Sequence, residues 1–312
     1  MSGLRSGVAT RIQQLESRAI YTHCYGHSLN LAAGDTIKKS TVMKKALDIT
    51  LEMSKLIKFL PKRDALFQNL KEELQPECPG MRVLCPTRWT VRADSLKSVL
   101  DNYSVLQELW EESEKLTKDS ETTARIIGVA SQMATFDFYF GVYISEMILR
   151  HSDNLSKALQ KKDISAAEGQ HVASLVKTTL QTMRSESSFS LFWQVLSIKA
   201  QKLNIGEPTL PRKRKAPKIF EVGIGEAGFH VNVEEHYRAI YYEALDLIIQ
   251  CIDDRFDQVG YRMYMNLETL LLKGCKQVEH SSELEHVKEL YSDDIHYGNL
   301  EVQFQTIAPV MK

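Results

Sequence analysis

Two short stretches concentrate the side chains able to do chemistry. Residues 21–31 read Tyr-Thr-His-Cys-Tyr-Gly-His-Ser-Leu-Asn-Leu and set Cys24 and His27 at C-x-x-H spacing, next to His23. A thiolate and an imidazole at that spacing take adjacent corners of a tetrahedral zinc site. A closed site needs two further ligands, and the nearby candidates, Cys78 and Cys85, stand seven apart where such sites use roughly two to four. A Cys/His nucleophilic pair would draw on the same residues, yet no cysteine-hydrolase signature surrounds Cys24. The expectation is structural: a buried Cys24 and a hydrogen-bonded His27 packing a strand-to-helix junction, with no metal.

The second stretch is Cys85-Pro86-Thr87-Arg88-Trp89. Arg88 carries a fork of donors suited to phosphate and Trp89 a flat ring able to stack on a base, which makes the two candidate DNA contacts. The plainer account packs Trp89 in the core, where tryptophan is usually largely buried. A third cluster, Arg212-Lys213-Arg214-Lys215, lies in a proline-rich basic loop over 205–226. Its composition suits a nuclear-import signal or a phosphate contact, and equally a solvated linker. Glu234, Glu235, Asp253 and Asp254 sit on helix-like segments as solvated faces. With no glycine-rich phosphate loop and no H-E-x-x-H pattern, the sequence offers no self-contained catalytic constellation.

Positioning these residues requires a sizeable scaffold, and 312 residues with 43% hydrophobic and 25% charged content suffice for one large or two ordinary domains. A formal charge of −1 gives no global footprint for nucleic acid, so any such surface is local. Five scattered cysteines argue against a secreted disulfide framework and for a reducing compartment, nuclear or otherwise cytoplasmic. No apolar run long enough for a membrane span and no secretory leader pattern is seen, so no membrane partner is expected. The opening Met1-Ser2-Gly3 leads straight into a helical pattern, as in a fragment of a longer protein.

Periodicity predicts a short helix over 7–17, a buried strand over Ala19–Tyr25 and a helix over 28–39. A helix follows from Thr41 to just before Pro61, then another through Leu66–Leu70 and a loop over 75–87, in which Met81–Leu84 is a candidate edge strand. Trp89 is expected to open a helix reaching Leu100. Broad apolar coverage over 122–159 and again over 163–204 predicts two long antiparallel helices of a bundle. Helices over 233–256 and around Leu267–Leu272 complete the pattern.

The ordered pair H-C-x-x-H-x-L-N-L and C-x-T-R-W, the basic loop and the Glu234-Glu235-His236-Tyr237-Arg238 helix together resemble the domesticated transposases of the hAT superfamily, the zinc finger MYM-type proteins among them. The resemblance implies a mostly α chain with a small α/β element: a partial RNase H-like core over 1–100 interrupted by a long helical insertion over 101–280, and the start of an incomplete C-terminal segment over 281–312. In that family two aspartates and a glutamate hold divalent metal for strand cleavage. The resemblance places the aspartates upstream of the C-x-x-H motif, the second just before Met1. It places the glutamate near a Ser-Glu-Arg-Ser-Phe-like motif of the dimerisation region that does not occur before Lys312. It therefore implies a non-catalytic chain, with metal only where a longer form supplies the ligands and a homodimer only through a missing C-terminal region. Its expected partners are DNA or other proteins.

Overall fold

A computed structural model describes residues 7–84, 92–159, 165–211, 232–307 and 309. Among these the chain forms fourteen helices and no strand: α1 Val8–Leu15, α2 Tyr25–Lys39, α3 Thr41–Lys58, α4 Pro61–Leu74, α5 Arg92–Asp101, α6 Tyr103–Leu116, α7 Ser120–Met133, α8 Phe136–Leu159, α9 Ala166–Met183, α10 Glu186–Lys202, α11 Val233–Phe256, α12 Val259–Cys275, α13 Ser281–Tyr291 and α14 Tyr297–Ile307. The chain is mostly α. The small α/β element expected from the Ala19–Tyr25 pattern does not form among the described residues. Positions 19–24 are neither helix nor strand, and Met81–Leu84 has no strand partner either. Both segments satisfy polar groups with side chains: Ala19 C=O accepts from Gln13 Nε2 (3.1 Å), Arg82 N–H donates to Ser98 Oγ (3.0 Å), and Val83 C=O accepts from Ser95 Oγ (3.1 Å).

The two long helices read from the apolar pattern are four. Over 122–159 the break falls at Thr135, whose hydroxyl accepts from Phe138 N–H (3.3 Å) at the start of α8. Over 163–204 it falls at Ser185, which caps α10 by accepting from Ser188 N–H (3.3 Å). Local hydroxyl caps here compete with an apolar stripe that runs on unbroken. Pro61 sits in the first turn of α4, where its missing N–H costs nothing. The far end of α10 is closed by a Schellman motif. Ile205 N–H reaches Ala200 C=O (3.0 Å), Asn204 N–H reaches Gln201 C=O (3.1 Å), and Asn204 takes the left-handed conformation at φ 52°.

Contacts gather the chain into two units, one from residues 1–32, 157–175 and 252–312, the other from 33–156 and 176–251. The core of the second unit is aromatic. Phe140 and Tyr237 have ring centroids 4.9 Å apart, as do Phe192 and Tyr241, joining α8, α10 and α11. Tyr103 donates to Met133 C=O (2.7 Å) and is fully buried with Trp110. Each buried ring of this size contributes about 1.5–3 kcal/mol from removal of apolar surface. In the first unit Met263 and Leu270 of α12 pack with Val287 of α13 and Phe304 of α14.

Candidate phosphate-binding groove and the C-x-x-H junction

Cys24 and His27 flank the start of α2. The Cys24 carbonyl accepts the first helical hydrogen bond from Ser28 N–H (3.0 Å), yet Cys24 itself is exposed, as is His27. The expected burial of Cys24 is thus corrected: the buried positions at this junction are Ser28 and Leu29. His27 instead places its ring 4.7 Å from that of His23. Burial, and then His27 and Arg255, hold the His23 pKa below its ordinary value. Among the described residues no three His, Cys, Asp or Glu side chains stand together as a metal site.

What organises the junction is an aromatic stack that the motif's reactive residues do not join. Tyr25 lies on Tyr261, with centroids 4.5 Å apart and planes 11° apart, and Phe256 stacks on both. Tyr25 Oη donates to Ala166 C=O (2.9 Å). Gly169 lies under its ring, where a Cβ would come within 2.7 Å of Tyr25 Cε2. Tyr261 Oη donates to His23 C=O (2.9 Å). A phenol has one proton, so the 2.5 Å contact with Ser28 Oγ is donated by the serine. Burial above all pushes the Tyr261 pKa up to about 12, and it stays neutral.

A polar site lies elsewhere, in the second unit. A groove of about 660 Å³ is walled by the 79–84 segment, α5, α8 and α10. Helical spacing builds each wall. Tyr139, Tyr143, Glu146 and Arg150 follow one face of α8, while Asp94, Lys97 and Asp101 follow one face of α5. Arg82 reaches in from the non-helical segment, which Asn102 Nδ2 ties down at Pro79 C=O (2.8 Å). Asp94 bridges Arg82 (2.9 Å) and Arg150 (2.5 Å), and Arg150 also pairs with Glu146 (2.8 Å). Burial acts to lower the Arg150 pKa, but its bonds to Asp94 and Glu146 outweigh that and raise it.

Five cations and three carboxylates thus line the groove. Lys97 pairs with Asp101 (3.0 Å), which leaves Lys199 and Lys202 of α10 as its cations with no carboxylate partner among the described residues. Lys199 Nζ stands over the Tyr143 ring, 5.1 Å from its centroid and 3.3 Å from its hydroxyl. The groove therefore offers two available ammonium groups and tyrosine hydroxyls set in a frame of fixed arginines. That arrangement suits a phosphate or another anion.

No family model matches the chain, and neither does any solved structure. Of the residues singled out in the sequence, Cys85, Arg88, Trp89, Arg212, Lys213, Arg214 and Lys215 lie outside the described residues. Glu234 and Glu235 open α11, where carboxylates favour the positive end of the helix. Tyr143, Arg150, Lys199 and Lys202 were not singled out. The signal that could have found them is polar residues at helical spacing on stretches that are otherwise apolar.

Proposed function

We propose that this chain is a non-catalytic, transposase-derived module of hAT type that contacts DNA phosphates through the groove walled by α5, α8 and α10. The observation that carries the reading is a pair of ammonium groups without a carboxylate partner among the described residues, Lys199 beside Tyr143 and Lys202, in a groove whose other cations are held by carboxylates. A net charge of −1 requires any DNA surface to be local, and this groove is local. The C-x-x-H and C-x-T-R-W motifs support the family assignment, and Arg88-Trp89 enters the chain between two walls of the groove, the 79–84 segment and α5. An RNase H-like core and a nuclear location belong to the same reading, with Arg212–Lys215 as the import signal. The non-catalytic assignment rests on the family's two aspartates and glutamate having no matched motif in this sequence.

The test is fluorescence anisotropy of labelled duplex DNA across a salt series, with Lys199→Gln/Lys202→Gln and, separately, Arg88→Ala/Trp89→Ala. Loss of two phosphate contacts flattens the slope of log K against log salt by about 2. An unchanged affinity and slope in both double variants would refute the DNA reading. A second reading, a protein-interaction scaffold without DNA binding, is favoured by exposed apolar side chains such as Leu191 and Ile198 on α10, and it would then stand.

A further inference from the structure

At the corner between α3 and α4, facing the end of α6, lies a cavity of about 680 Å³. Its apolar wall is Leu60, Leu66 and Leu116, and its charged residues are Lys62 and Arg63, with no carboxylate in the lining. Arg63 is the unusual member. It is only 9% exposed, in a position where arginine is almost always paired. Its side chain donates once, from Nη1 to the Leu56 carbonyl at the end of α3 (2.7 Å), and it has no carboxylate partner among the described residues. A guanidinium carries five N–H donors, so four remain.

Burial first and then the like charge of Arg125 lower the Arg63 pKa, both marks of a cation without a counter-charge. Glu52 holds Arg125 (2.6 Å), and Asp64, the next residue on α4, holds Lys58 (2.7 Å). Ser113, also lining the cavity, is 3% exposed and its Oγ has no hydrogen-bond partner. Beside a leucine-lined space, then, one buried hydroxyl has no partner and a largely buried guanidinium uses one of its five donors. Isolated buried charges and orphaned hydroxyls are costly, and an arriving anion relieves both.

We infer that this cavity binds an aliphatic monocarboxylate of medium chain length, its carboxylate on Arg63 and its hydrocarbon against Leu60, Leu66 and Leu116. A fork of N–H donors matches a carboxylate in two parallel hydrogen bonds. The volume is that of a small-molecule site, and the three leucines give a hydrocarbon chain its apolar wall. The site is separate from the basic groove and does not depend on DNA binding.

The test is isothermal titration of the full chain with octanoate and, in parallel, with 1-octanol, which keeps the hydrocarbon and removes the charge. Octanoate is expected to bind at least about tenfold more tightly than the alcohol, the usual worth of one charge-assisted contact. Arg63→Gln should abolish the preference. Because that variant also loses a cap on α3, Leu116→Glu is the second probe: Leu116 is 68% exposed, so the substitution leaves the fold intact and sets a like charge against the ligand. It should weaken octanoate by at least about tenfold. Absence of octanoate binding, equal affinity for the alcohol, or unchanged affinity in a folded Leu116→Glu variant would each overturn the assignment.

Discussion

Replacing Gly260 by alanine probes how tightly the segment carrying His23 and Cys24 is held. Gly260 is the second residue of α12, and a Cβ there would stand 1.9 Å from Thr22 Oγ1, 3.0 Å from Thr22 Cβ and 3.2 Å from Ile20 Cγ2. Helix propensity favours alanine by at most about 1 kcal/mol, and less in a first turn. Overpacking of this kind costs about 1–3 kcal/mol, so a net loss of about 1–2 kcal/mol follows. Thr22 supplies an internal control. Its hydroxyl is buried and has no hydrogen-bond partner, so Thr22→Ala alone should be nearly neutral. In the double variant the 1.9 Å contact disappears and a 3.0 Å contact with Cβ remains, so most of the loss should be recovered. Urea denaturation followed by circular dichroism gives the cycle, with an expected coupling of about 1–2 kcal/mol. A neutral or stabilising Gly260→Ala, or a double variant no more stable than the single, would refute the close approach of α12 to residues 20–22.

Two further outcomes concern the same junction. His23 has a folded pKa below the ordinary 6.5, so as pH falls through that value the unfolded chain binds the extra proton first; stability should drop from pH 7 toward pH 5, and His23→Gln should make the urea midpoint flatter over that window. Removing the Tyr261 hydroxyl leaves His23 C=O and Ser28 Oγ without their partner, so Tyr261→Phe should cost about 1–3 kcal/mol by urea denaturation, whereas exposed Cys24→Ser/His27→Gln should change stability by less than about 0.5 kcal/mol.

Helix existence was legible in the sequence wherever apolar residues recur at helical spacing, as in α3, α11 and α12. Helix ends were harder, because Thr135 and Ser185 sit inside apolar patterns that continue past them, and a hydroxyl cap leaves no gap in a hydrophobic stripe. The aromatic and β-branched run at 19–24 reads as a strand because a strand and a half-buried coil draw on the same side chains. A ladder, however, depends on a partner segment, and that is a tertiary fact. The groove was unreadable for a related reason. Arg82, Asp94 and Arg150 are remote in sequence, and their pairing follows only once the 79–84 segment, α5 and α8 are placed. Arg63 was not singled out in the sequence, because its burial follows only once α4 is packed against α3 and α6.

The stretch that holds most of the reactive side chains shows how spacing can mislead in a particular direction. Cys24 and His27 are three apart, and so are Tyr25 and Ser28, one position on. Around the first turn of α2 a shift of one residue turns a side chain by about 100°, so the two pairs face different ways. Tyr25 and Ser28 meet Tyr261, one by stacking and the other by hydrogen bond, while Cys24 and His27 remain exposed. Residue types familiar from metal sites draw attention to the exposed pair, yet the energy that fixes this turn comes from its neighbours. The separation has a functional consequence: the exposed pair can be altered without disturbing the stack, so any activity that Cys24 or His27 carries is separable from the fold that presents them.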